Sequence, residues 1–250
     1  MVHQIVSAYE QEFDFPYKIE APSKTYMVAA IPRTGSTHFC LSLWRTGCLG
    51  APLEYINLKN RDHTIDRLGG GDLVKYWKAL LHVRTSKNGV FGFKSFVPNF
   101  KDIAVKSEEL LALIAPAHVV YITRRDKIAQ AASYARAVQT QAWFAGVKEQ
   151  TAPRYDPALL KQAELWIAQQ EDSWEKIFQL KEVDPIRVYY EDFLARPDET
   201  MAVVAGAMGV TLDPDARIQA PEIERQADEM SADWIQLYQH ERSVQSVPAG

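Results

Sequence analysis

A short apolar run that leads into a tight turn and an amphipathic segment constrains the fold of this chain most strongly. The run covers residues 26–31 and has the length of a buried strand. Pro32 and Gly35 mark a turn, after which a helix is expected to begin at Ser36 or Thr37. Apolar residues then recur at helical spacing, at Phe39, Cys40, Leu43 and Trp44. The segment is therefore predicted to fold as strand, tight loop and helix.

Strands and helices alternate along the rest of the chain. Further strands are predicted at 89–97, 118–123 and 186–190, and further helices at 73–81, 127–144, 157–178, 199–208 and 221–240. Asp72 and Asp126 are placed to cap the helices that follow them. Ser231 is expected to break the last helix. Because strands alternate with helices, the fold class is α/β, with a mostly parallel central sheet flanked by helices.

The length of 250 residues and the 47% hydrophobic content fit one domain over residues 1–250. Within it, residues 1–25 are expected to be irregular and residues 243–250 to form a frayed tail. The net charge of −4 argues against the broad basic surface of a nucleic-acid-binding protein. Any anion site must therefore be a local cluster of positive groups.

The sequence also bears on the location of the protein and on the redox state of its cysteines. No run approaches the roughly 18 apolar residues of a membrane span. The acidic N-terminal segment has no apolar core of the kind found in signal peptides, so a cytoplasmic location is expected. Cys40 and Cys48 have no Cys or His at metal-ligand spacing and are predicted to be reduced thiols in the core.

Residues 33–37 are the strongest candidate for an anion site. The first N–H groups of a helix have no partner, and its dipole adds partial positive charge. Arg33 and the hydroxyl groups of Ser36 and Thr37 would complete the cradle. The alternative is that Ser36 only caps the helix. The loop lacks the lysine and the first glycine of a nucleoside-triphosphate P-loop, because Ser36 and Ala30 occupy those positions.

A second basic cluster follows the strand at 118–123. It contains Arg124, Arg125 and Lys127, with Ser133 about two helical turns further on. A strand-end arginine and a helix serine can hold one phosphate from two sides, although a solvated charge cluster is the alternative. Ligands gather at the carboxyl ends of parallel strands. The two clusters together favour a nucleotide that carries both a 5′ and a 3′ phosphate.

Glu54 follows the first predicted helix on a loop stiffened by Pro52. Transfer of a group to an alcohol requires a base for the hydroxyl proton, and a carboxylate can serve. From its position in the sequence alone, Glu54 is more readily explained as a surface residue than as a base.

Several motifs, in the same order, make the chain resemble the bacterial trehalose 2-sulfotransferase family. This family is a branch of the sulfotransferases that use 3′-phosphoadenosine 5′-phosphosulfate (PAPS). The resemblance covers nearly the whole chain after residue 25. The matching segments are 33–37, 46–47, 52–55, 88–94, 124, 130–131, 133, 136–140, 143, 224–228, 231 and 234.

The resemblance implies a P-loop-like α/β sulfotransferase fold and a donor site for PAPS, with PAP as product and no metal. It implies that the 5′-phosphosulfate is held by Arg33, Thr34, Gly35, Ser36 and Thr37. It implies that the 3′-phosphate is held by Arg124 and Ser133, and that Arg225 also belongs to the cofactor site.

For the acceptor side, the resemblance implies that Glu54 is the general base and that Lys94 and Gln139 bind the substrate. Arg33 would stabilise charge on the departing phosphate. The acceptor is expected to be a hydroxyl of a sugar or glycolipid, and a homodimer is expected. Arg125 replaces a proline that is frequent in the family, so the second phosphate site is expected to be more basic here.

Two rival functions remain. One is an ATP-dependent small-molecule kinase, against which the missing P-loop lysine counts. The other is a nucleotide-binding module without catalysis. Comparing the binding of PAP with the binding of Mg-ATP distinguishes a sulfotransferase from a kinase. A search for sulfated product distinguishes an enzyme from a binding module.

Overall fold

A parallel four-stranded sheet forms the centre of the protein in the computed structural model, which describes residues 8–58, 62–106, 108–143, 147–221 and 229–245. The strands lie in the order β2–β1–β3–β4, and every neighbouring pair is parallel. Their bounds are β1 Lys24–Ala30, β2 Val90–Phe96, β3 His118–Thr123 and β4 Ile186–Tyr189. The α/β class and the parallel sheet predicted from the sequence are confirmed.

Helices cover both faces of the sheet and place two apolar layers against it. Their bounds are α1 Ser36–Arg45, α2 Asp62–Gly69, α3 Leu73–Val83, α4 Val97–Lys106, α5 Glu108–Ile114, α6 Lys127–Thr140, α7 Pro157–Leu180, α8 Tyr190–Ala195, α9 Pro197–Ala207 and α10 Glu229–Gln245. Short 3-10 turns lie at Gln11–Phe13 and Pro214–Ala216. Because side chains alternate along a strand, Met27 and Ala29 face one apolar cluster and Val28 the other.

Aspartate caps fix where several helices begin. Asp72 accepts a hydrogen bond from the Lys75 N–H group at 2.9 Å, and Asp126 accepts one from Ala129 at the same distance. Asp156 caps α7 in the same way. An aspartate in this position satisfies an N–H group that has no partner within the helix. Both caps predicted from the sequence are therefore confirmed.

Three predicted boundaries are wrong. The helix at 127–144 ends at Thr140, because Gln141 adopts a left-handed backbone with φ of 56°. Helix α10 continues through Ser231 without a break and reaches Gln245. Residues 243–245, expected to belong to a frayed tail, are therefore helical. The first turns of this helix were predicted at 221–228, and residues 222–228 lie outside the described part.

From Ala8 onward, the N-terminal segment belongs to the core. Arg84 is 1% exposed and holds the segment by donating to the carbonyl groups of Ala8 and Glu10, at 2.9 and 3.1 Å. Its guanidinium also lies 2.9 Å from the Asp14 carboxylate. The irregular part ends slightly earlier than predicted, because β1 begins at Lys24.

Cys40 and Cys48 are buried and form no disulfide, which confirms the prediction of reduced core thiols. Burial raises the pKa of the Cys40 thiol to about 12. Across the described segments, no helix combines the length and the apolar character needed to cross a membrane.

Candidate active site

The loop between β1 and α1 leads directly into the N-terminus of a helix. Arg33 and Gly35 both adopt left-handed conformations, with φ of 70° and 81°. Gly35 is the N-cap of α1, and Ser36 is the first helical residue. The alternative in which the Ser36 hydroxyl caps the helix is therefore wrong. The first N–H groups of α1 have no partner within the helix and are suited to an anion.

The carbonyl groups of residues 30–32 are all occupied. They accept hydrogen bonds from the Trp174 indole at 2.9 Å, the Thr34 hydroxyl at 2.9 Å and the Gln130 amide at 3.0 Å. Protein donors therefore compensate the partial negative charge of these three acceptors. The Thr34 hydroxyl thus closes the turn.

Gln130 was not singled out from the sequence as a site residue, although it lies within a matching motif. Its side chain is fully buried on α6, and its Oε1 atom has no hydrogen-bond partner in the described part of the chain. A glutamine on the otherwise alanine-rich buried face of α6 is the signal that sequence reasoning missed. It fixes α6 to the β1–α1 loop.

The two candidate phosphate sites meet at Arg33 and Ser133. The Arg33 Nε atom donates to the Ser133 Oγ atom at 2.9 Å, across 100 positions of sequence. A second Arg33 nitrogen, Nη1, donates to the Trp143 carbonyl at 2.6 Å. The structure thus brings together the residues that the sequence assigned to opposite phosphates of one nucleotide.

Arg124 lies beside the same loop, with Tyr190 between them. The Arg124 guanidinium lies over the Tyr190 ring at 5.8 Å, a cation–π distance. The same ring lies against Gly35, where a Cβ atom would lie 2.1 Å from Tyr190 Cε2. The Arg124 Nε atom is buried and has no partner among the described residues. A buried guanidinium nitrogen of this kind is suited to an anionic oxygen.

Positive charge is concentrated around Arg33. Burial, together with the neighbouring charges of Arg124 and Arg136, lowers the pKa of Arg33 to about 10. Arg136 is itself paired with Glu149, at 2.8 Å. The guanidinium groups disfavour one another's charge, and a bound polyanion would relieve that repulsion.

Arg125 does not add to this cluster in the way that the sequence suggested. Its guanidinium donates to both carboxylate oxygens of Asp192, each at 2.7 Å, and lies 4.0 Å from the Tyr189 ring centroid. The pKa of Asp192 is lowered by its hydrogen bond with Arg125. The expected increase in basicity is therefore offset by a carboxylate from α8.

Glu54 is buried, with 7% of the residue exposed, and does not lie on the surface. Its Oε1 atom is 2.8 Å from the Lys94 Nζ atom, and its Oε2 atom accepts a hydrogen bond from Asn57 at 3.0 Å. Lys94 also donates to the Thr37 hydroxyl at 2.9 Å. Burial by itself would lower the pKa of Lys94, but the charge of Glu54 leaves that pKa raised.

The side chain of Gln139, predicted from the family resemblance to bind the substrate, is occupied by main-chain contacts. The Gln139 amide is paired with the backbone of Arg154, with its Nε2 donating to the carbonyl at 2.9 Å and its Oε1 accepting from the N–H at 2.8 Å. Gln139 thus fixes the chain that follows α6. Arg225 lies outside the described residues.

A series of side-chain contacts connects the candidate anion site to the Glu54 carboxylate. Arg33 contacts Ser133 and feels the charge of Arg124, and Lys94 connects Thr37 of α1 to Glu54. Such a site can hold an anionic donor and take a proton from an acceptor beside it. Within the described residues, no group of three His, Cys, Asp or Glu side chains is placed to hold a metal ion.

Two solved structures are similar to this chain at low sequence identity. The sulfotransferase domain from the curacin biosynthetic pathway has 15% identity and a TM-score of 0.48, with 86% of this chain and 83% of that chain covered. A sulfotransferase from Alicyclobacillus acidocaldarius has 14% identity and a TM-score of 0.47, with 90% and 94% covered.

Sequence comparison gives a firmer assignment. A trehalose 2-sulfotransferase from Mycolicibacterium smegmatis is 29% identical, over 89% of this chain and 97% of the relative. A trehalose 2-sulfotransferase from Mycobacterium tuberculosis is 27% identical, over 90% and 98%. The family model described as Stf0 sulphotransferase matches residues 25–241. Since this match spans most of the chain, the protein belongs to the Stf0 sulphotransferase family.

Proposed function

We propose that the protein transfers a sulfuryl group from PAPS to a hydroxyl group of a carbohydrate or glycolipid. The observation that carries this proposal is the contact between Arg33 and Ser133, which joins the two candidate phosphate sites at 2.9 Å. A donor with phosphate at both its 5′ and 3′ positions suits that arrangement. The carbohydrate acceptor is supported by the two relatives named trehalose 2-sulfotransferase.

The donor would lie with its 5′-phosphosulfate against the N-terminus of α1. The start of α1 supplies backbone N–H groups and the hydroxyl groups of Ser36 and Thr37, whereas the Thr34 N–H group donates to the Ile31 carbonyl. Arg124, whose Nε atom has no partner among the described residues, and Ser133 would hold the 3′-phosphate. The charge concentrated around Arg33 supports a polyanionic donor, because bound negative charge relieves the repulsion described above.

The reaction is an in-line attack by the acceptor oxygen on sulfur. Glu54 takes the hydroxyl proton as the new O–S bond forms. The bond between sulfur and the bridging phosphate oxygen breaks, and its electron pair stays with the 5′-phosphate of PAP. Arg33 and the loop N–H groups stabilise the charge that grows on this phosphate. Positioning and fixed charge thus supply most of the catalysis, as in phosphoryl transfer.

Binding and turnover together test the proposed function. PAP at about 100 times its Kd should stabilise the protein by about 2.7 kcal/mol and raise Tm by roughly 5–10 °C. Labelled PAPS with a panel of sugars that includes trehalose should give a sulfated product detectable by mass spectrometry. A shift with Mg-ATP alone would favour a kinase. A shift with PAP but no product from any acceptor would favour a binding module. The expected homodimer and cytoplasmic location stay predictions.

Ser133→Ala should weaken PAP binding about 10-fold to 100-fold, because a hydrogen bond to a charged group contributes about 1.5–3 kcal/mol. Isothermal titration with PAP measures the change. Ser42→Ala is the matched control, since the Ser42 hydroxyl donates to the His38 carbonyl one turn earlier in α1. Equal PAP affinities for the two variants would contradict the role of Ser133.

A further inference from the structure

The ion pair between Lys94 and Glu54 lies inside the protein. The Lys94 and Glu54 side chains are 3% and 9% exposed, and their charged atoms are 2.8 Å apart. An ionised carboxylate at such a depth is costly unless a cation and hydrogen bonds compensate it. The state of the proposed base therefore depends on the groups that face it.

Within the described residues, groups from several elements face the Glu54 carboxylate or its main chain. The Lys94 ammonium comes from β2, the Tyr9 hydroxyl from the N-terminal segment, the Cys40 thiol from α1 and the Asn57 amide from the loop of Glu54 itself. Tyr9 accepts from the Glu54 N–H group at 3.1 Å, and Asn57 donates to the carboxylate. Lys94 is the member of this set that brings positive charge.

The main chain of Lys94 fixes the same loop independently of the side chain. The Lys94 N–H group donates to the Leu53 carbonyl at 2.8 Å, and Leu53 and Phe93 form an isolated parallel bridge. These backbone contacts are available to any residue at position 94. The charge of the side chain can therefore be tested separately from the position of the loop.

The Lys94 ammonium also contacts the donor side of the site. It donates to the Thr37 hydroxyl at 2.9 Å while it contacts Glu54. One buried cation thus connects the second residue of α1 to the proposed base. A side chain held between two partners in this way is poorly placed to leave them for an acceptor sugar.

We propose that Lys94 is a positioning residue that serves as the counter-ion of Glu54, holding the carboxylate ionised and aligned with Thr37 at the donor site. This inference rests on the proposed function, because it takes Glu54 to be the base. It replaces the role in acceptor binding that the family resemblance implied for Lys94.

The dependence of kcat/KM on pH distinguishes a counter-ion from other roles. In Lys94→Met the carboxylate stays buried but loses its cation, so protonation becomes easier and the pKa of Glu54 rises. The acid limb of the profile should then move to higher pH by at least about one unit, since kcat/KM reports groups of the free enzyme. The Kd for PAP should change by less than about threefold. Lys94→Arg should keep the limb near its original position.

Lys78→Met is the matched control, because Lys78 is 56% exposed and pairs loosely with Glu109 at 3.9 Å. Its acid limb should not move. An unmoved limb in Lys94→Met would overturn the inference, and so would a limb in Lys94→Arg that matches Lys94→Met. A loss of PAP affinity as large as the loss of kcat/KM would overturn it as well, because Lys94 would then serve the donor.

Two further variants keep the result decisive. If Lys94→Met does not fold, the double variant Lys94→Met with Glu54→Gln removes the stranded charge. Recovery of folding by circular dichroism supports the counter-ion role, and continued failure overturns it. Glu54→Gln alone separates the two proposals. Full turnover in that variant would show that the proposed base is wrong, whereas an inactive variant together with an unmoved acid limb in Lys94→Met would reject only the Lys94 inference.

Discussion

Glu54→Gln is expected to lower kcat by a factor of about 10²–10⁴, the usual contribution of a positioned general base. Glutamine has nearly the same shape and keeps one oxygen that can accept from Lys94 at the 2.8 Å contact. Its amide nitrogen is a donor, so the 3.0 Å contact persists only if the Asn57 amide turns its own oxygen toward it. The variant loses the capacity to take the acceptor proton. Steady-state turnover of PAPS with a saturating acceptor measures the effect.

Three measurements make that result specific to proton transfer. Circular dichroism should show a folded variant, and PAP affinity should stay within about threefold, because Glu54 lies outside the proposed phosphate contacts. Glu108→Gln is the control for loss of a carboxylate elsewhere, since Glu108 is an exposed residue on α5. Full turnover in Glu54→Gln would show that another group takes the proton.

Gly35→Ala should destabilise the fold by about 2–5 kcal/mol and abolish measurable PAP binding. A left-handed backbone costs a residue with a Cβ atom about 1–2 kcal/mol, and an overpacked methyl group costs about 1–3 kcal/mol more. Here φ is 81°, and the added Cβ atom would lie 2.1 Å from the Tyr190 ring. The loop must therefore move, and its N–H groups move with it. Thermal denaturation and isothermal titration with PAP measure the two effects.

Gly70→Ala separates the backbone cost from the collision. Gly70 also has a positive φ, of 56°, but a Cβ atom there would meet nothing within 4 Å. That variant should lose only about 1–2 kcal/mol and should bind PAP normally. If Gly35→Ala has the same Tm as Gly70→Ala and the same PAP affinity as the wild type, the contact with Tyr190 does not hold the loop.

The sheet and the β1–α1 loop could be predicted from local sequence patterns, because the residues that determine them lie close together in the sequence. The strand, turn and helix at 24–45 follow from apolar spacing, Gly35 and the start of α1. The caps at Asp72 and Asp126 follow from the affinity of a short carboxylate for free N–H groups. The end of α6 at Thr140 was missed, because no glycine or proline marks Gln141 as left-handed.

Contacts between residues that are far apart in the sequence could not be predicted from local patterns. The burial of Arg84 depends on Asp14 and on carbonyl groups some 70 positions earlier. Glu54 alone resembled a surface residue, and its pairing with Lys94 became visible only when β2 was placed beside its loop. Gln130 was missed for the same reason, since its partner is the Pro32 carbonyl. The family resemblance supplied Glu54 as a candidate base, but not the contacts that surround it.

The position of Tyr190 has an evolutionary consequence. The Tyr190 ring packs against the backbone of Gly35, which has no side chain, and also lies under the Arg124 guanidinium. A bulkier residue at 35 would demand a smaller one at 190, and that exchange would remove the support under 124. Substitutions at these three positions are therefore expected to be correlated among homologues, so that a lineage that alters one of them alters the others or abandons this donor.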